Sequence, residues 1–101
     1  MSTASPADLA VAFRSIPRRL REAQGDLPAE AINAEVTELQ QDLGEAGRLL
    51  MTTHDPLAIA TAIDATPADD WDAHVLDRLG AIALQIGARL RSIEALRPEV
   101  D

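Results

Sequence analysis

"VLDRLGAIALQIGARLRSIEAL", residues 75–96, is apolar on two sides at once. Val75, Leu79, Ile82, Ile86, Ile93 and Leu96, widened by Leu76, Ala83 and Leu90, follow the spacing that gathers residues on one helix face. Gly80, Ala81, Leu84, Gly87 and Ala88, at i, i+1, i+4, i+7 and i+8, make a second apolar stripe where a charged face is expected. Within "GAIALQIGA" (80–88) only Gln85 is polar. A helix apolar all round is ordinarily buried all round, and a small domain has few helices with which to surround it. Each interior glycine also costs about 1 kcal/mol against alanine, which close packing of a second backbone would explain. Either the other helices wrap this one, or the small-residue stripe packs on a second chain, most simply a two-fold copy. The second reading is adopted, with Gly80, Ala81, Leu84, Gly87 and Ala88 as the expected partner interface.

The rest of the chain is divided by proline. "SPAD" (5–8) and "TPAD" (66–69) place a hydroxyl residue before Pro and an acid at the third helical position, the signature of a capped helix start. "LPAE" (27–30) lacks the hydroxyl, and "DPLA" (55–58) supplies an Asp cap. Helices are therefore predicted over about 6–24, 28–52, 56–64 and 67–97. Leu9, Phe13, Ile16, Leu20 and Ala23 form the inner face of the first. Its register continues across Pro17, so a kink is expected there rather than an end. Gly25 is its terminator. Ile32, Val36, Leu39, Leu43, Ala46, Leu50 and Thr53 of the second alternate spacings of four and three, a coiled-coil-like seam. Glu35, Glu38, Gln41, Asp42, Glu45 and Arg48 are its solvated positions. Leu57, Ala60 and Ile63 face inward on the third.

At 101 residues with 47% apolar side chains, the chain fits one folded domain spanning 1–101, with frayed ends at 1–5 and 98–101. Phe13 and Trp71 are its only aromatic residues, so Ala, Leu and Ile must build the core, a helical composition. With no cysteine, disulfides, thiolate metal sites and Cys nucleophiles are excluded. A formal charge of -8 argues against general affinity for nucleic acid or anionic lipid. No apolar run is long enough to span a membrane, and no signal pattern opens the chain, so a cytoplasmic location is expected. Every basic residue is Arg, which fits a GC-rich coding sequence and a bacterial setting.

Asp70 and His74, four apart, share a face if both lie on one helix, and His54 could join them as a metal ligand. Two histidines are too few for an ordinary structural zinc site, so the carboxylates are read as helix-start residues and no metal or cofactor is expected. Trp71 is expected to close the core end over the third helix. Arg14, Arg18 and Arg21 share a face at i, i+4 and i+7. They could contact an anion or an acidic partner, but pairing with Glu35, Glu38 or Asp42 is the expectation in so acidic a chain. No nucleophile motif or glycine-rich phosphate loop is present, so catalysis is not expected.

The sequence thus predicts an all-α fold: a small antiparallel bundle of two long and two shorter helices, coiled-coil-like in packing and completed by dimerisation. The expected role is a protein–protein interaction module, an adaptor, accessory or regulatory subunit. One alternative is a small-ligand or metal-binding bundle using His54, Asp70 and His74. Another is an antidote-type partner whose acidic surface masks a basic protein.

Overall fold

Ser5 does cap the first helix: its Oγ accepts the Asp8 N–H at 3.1 Å. The computed structural model describes residues 5–98, so apart from Ser5 and Pro98 the segments expected to fray lie outside the described residues. Five α-helices run in order: α1 Pro6–Arg14, α2 Ile16–Gln24, α3 Ala29–Leu49, α4 Pro56–Ala65 and α5 Ala73–Ala95. A 3₁₀ turn, Ala68–Asp70, precedes α5, and no strand occurs among the described residues. The fold is all-α, with two long helices and three shorter ones rather than two.

The extra helix comes from Pro17. Lacking an N–H, it leaves the Phe13 carbonyl without its usual donor, and the helix expected to run with a kink over 6–24 divides at Ser15. Ser15 itself keeps helical dihedrals, φ -84 and ψ -8. Its N–H reaches the Val11 carbonyl at 3.0 Å, and its own carbonyl accepts from Arg19 at 2.9 Å. The chain bends here without leaving helical conformations. The bend lets α1 pack mainly on α4 while α2 packs on α5. Gly25 ends α2 at φ 53 and ψ -123, backbone that a side chain would strain. The Arg97 guanidinium lies over it and donates to the Glu22 carbonyl at 3.0 Å, serving the open end of α2.

The end of α3 is tied by a Schellman turn. The Thr52 N–H bonds the Gly47 carbonyl at 2.8 Å, and the Met51 N–H bonds the Arg48 carbonyl at 3.2 Å. The left-handed residue this turn needs is Met51, at φ 57, rather than the usual glycine. Gly47 is where a glycine is required, because a Cβ there would run into the Thr53 carbonyl. Thr53 therefore lies beyond the helix and outside the seam predicted for it. Asp55 then caps α4 by accepting the Leu57 N–H at 3.0 Å. Ile59, Ala60 and Ile63 point inward, whereas Leu57, expected inside, is 50% exposed.

The fourth predicted start fails in an instructive way. The Thr66 hydroxyl donates back to the Ala62 carbonyl at 2.9 Å, closing α4, and so does not cap the next segment. "TPADD" forms only the 3₁₀ turn. Asp72 takes over as cap: its Oδ1 accepts the N–H groups of His74 at 2.8 Å and Val75 at 3.3 Å. Trp71 lies in the extended link between turn and helix, half-buried against the core. Leu79, Ile82, Ile86, Leu90 and Ile93 of α5 are buried with Phe13, Ile16, Ile32, Leu39, Leu43 and Ile59. Leu96, expected inside, is 46% exposed because the helix stops at Ala95.

Replacing Met51 with Gly should raise unfolding free energy by about 1 kcal/mol, because it relieves a left-handed side chain. Gly47→Ala should lower it. Urea midpoints measure both, and an unchanged midpoint in Met51→Gly would contradict this account of the turn.

Candidate functional site

Two faces of α5 behave differently. The face beside α3 is held by charge. Arg89 Nε donates to Asp42 Oδ2 at 2.8 Å, and its Nη1 donates to Glu38 Oε2 at 2.6 Å. Arg78 donates through Nε and Nη2 to the two carboxylate oxygens of Glu45, the Nη2 bond being 2.8 Å. Glu38, Asp42 and Glu45, expected on a solvated face, instead form the rungs between the two long helices. Asp42 is the buried charged residue of the described core, at 8% exposure, and Arg89 supplies its counter-charge. The sequence signal was available in retrospect. Arg78 and Arg89 flank the inner ridge of α5, and the three acids flank the α3 seam.

The far side of α5 has no such cover. Leu84 is 76% exposed and Ala88 is exposed, while Gly80 and Ala81 are half-buried. Beyond its own helix backbone, a Cβ built on Gly80 would meet no described atom within 4 Å. Gly87 departs from the rest of the predicted stripe. It is buried, and the position of its absent Cβ lies 3.6 Å from Arg91 Nη1 and 3.8 Å from Arg19 Nη2. The stripe is therefore a small-residue surface bordered by two guanidinium groups. Neither Arg19 nor Arg91 makes an ion pair with a described residue.

The other basic and ligand candidates are scattered. Arg14 pairs with Asp64 of α4 at 2.6 Å, and Arg18 with Glu22 one turn along α2 at 3.3 Å. Arg21 makes no ion pair among the described residues. The expected pairing of this cluster with Glu35, Glu38 or Asp42 does not occur, since Arg89 occupies two of those acids. The bend at Ser15 also puts Arg14 on a different helix from Arg18 and Arg21. His54, Asp70 and His74 are all exposed. Asp70 ends the 3₁₀ turn and His74 lies in α5, so the one-helix spacing assumed for them is lost. No group of three or more His, Asp or Glu able to hold a metal occurs among the described residues. A dent lined by Ala12, Phe13, Ile16, Arg19, Ala83 and Ile86 has room, at about 10 Å³, for roughly one water. No helix of the described residues is long and apolar enough to cross a membrane.

Comparison with known protein families, curated proteins and solved structures finds no match to this chain.

The Arg78 hydrogen bond holds the Glu45 carboxyl below its ordinary pKa, opposed by partial burial and assisted by the charges of Arg78 and Arg48. A carboxyl depressed in the folded state stabilises fully above its unfolded value of about 4.3, and that stability fades as pH falls through the folded value. Glu45→Gln should therefore lose less stability than wild type on acidification below about pH 4.3. Thermal melts from neutral to acid pH measure this. Parallel wild-type and variant curves would show that the pair adds nothing to the acid response.

Proposed function

We propose that this protein is a protein–protein interaction module, an accessory or regulatory subunit of the cytoplasm, acting as a homodimeric helical bundle joined through the outer face of α5. The observation that carries this reading is Leu84, 76% exposed amid Gly80, Ala81 and Ala88 on the side of α5 turned from the core. Isolated exposed leucines are common. This one sits at the centre of a strip of small residues, where a second helix can approach closely without displacing a side chain. Gly80 adds to the argument. It costs about 1 kcal/mol of helix stability relative to alanine, and no other described element crowds the site.

The same reading includes an antiparallel arrangement of α3 and α5. Arg78 meets Glu45, while Arg89, eleven residues later, meets the earlier Asp42 and Glu38. That ordering supports opposite chain directions. It leaves the outer side of α5 facing away from α3, where a second subunit fits.

Sedimentation equilibrium at about 0.15 M salt, where the repulsion between acidic chains is screened beyond roughly 8 Å, tests the reading. Wild type should show a concentration-dependent dimer, and Leu84→Asp should be a folded monomer. A wild type that stays monomeric at all concentrations would overturn it.

A further inference from the structure

The charges beside the α5 strip specify how a second copy would lie on it. Asp77 and Arg91 stand seven residues before and after Leu84, so all three fall close to one face of the helix. Both are exposed, and neither makes an ion pair with a described residue. At 1.5 Å per residue they are about 21 Å apart along α5, too far to meet within one chain. Arg91 marks one end of the strip, its guanidinium reaching back beside Gly87. The other end presents Asp77.

We infer that two copies pair through antiparallel α5 helices about a two-fold axis at Leu84, with Asp77 of each facing Arg91 of the other. This rests on the self-association proposed above and adds its register. Under that symmetry residue i faces residue 168 - i, a relation set by the axis at position 84. Leu84 then meets Leu84, and Gly80 meets Ala88, so the large side chain lies on the axis between small ones. Each acid meets a guanidinium at both ends. A parallel pairing would instead oppose Asp77 to Asp77 and Arg91 to Arg91, leaving like charges face to face twice. The small contact area of one helix pair places the complex at the weak end of specific interfaces, where the orientation of two ion pairs decides between alignments.

Charge reversal tests the register. Asp77→Arg and Arg91→Asp should each weaken dimerisation about tenfold, because two attractive contacts become repulsive. The double variant should return to within about threefold of wild type, a swap of equal pairs. Both positions are exposed, and circular dichroism verifies that each variant is folded. Because the chain has no cysteine, single-Cys variants give a second readout. Leu84→Cys should oxidise to a covalent dimer, since only the axial residue comes within disulfide reach of its own copy. Asp77→Cys should not. A wild-type monomer would remove the self-association reading and this register with it. A wild-type dimer indifferent to either reversal, a double variant no better than the singles, or equal crosslinking at 77 and 84 would overturn the register alone.

Discussion

Leu79, Ile82, Ile86, Leu90 and Ile93 form a ridge along α5 against which α1, α2 and α3 all pack. Burying side chains of this size contributes on the order of 1.5–3 kcal/mol each. Three helices reach that ridge directly, and α4 is held through α1. Pro17 bends the chain so that α2 reaches it while α1 turns toward α4. The Schellman turn at Gly47–Thr52 returns the chain so that α4 packs on α1. The Arg89 and Arg78 rungs fix how α3 lies along it.

That arrangement also explains why one face is left uncovered. Three helices converge on one side of α5, and the strip around Leu84 lies on the other. Among the described residues no further helix closes over it. Small residues on the open side keep the exposed apolar area modest, and Asp77 and Arg91 bound it at either end.

Much of the fold was legible in local chemistry. Ser5 and Asp55 cap the helices they precede, Gly25 ends α2, and the inner ridge of α5 is buried as its spacing predicts. What escaped the sequence was competition between neighbouring groups of the same kind. Thr66 and Asp72 are both good caps, and only the folded chain shows Thr66 already donating to Ala62. Pro17 could bend or end its helix, and the chain bends at Ser15 with helical dihedrals kept, giving two segments that pack on different neighbours. The ion pairs were hardest to foresee, because any acid can suit any arginine until tertiary structure brings residues such as 38 and 89 together. The candidate interface was only half legible. Its apolar strip stood out, but Gly87 proved to be buried beneath arginines and the charges at its ends went unnoticed.

The central claim is that Leu84 meets its own copy. Isotope-filtered nuclear Overhauser spectroscopy on a mixture of labelled and unlabelled chains measures this directly. The account predicts intermolecular cross-peaks from the Leu84 methyls to Leu84 and Ala88 of the other copy. A dimer whose intermolecular cross-peaks arise elsewhere, with none at Leu84, would contradict it.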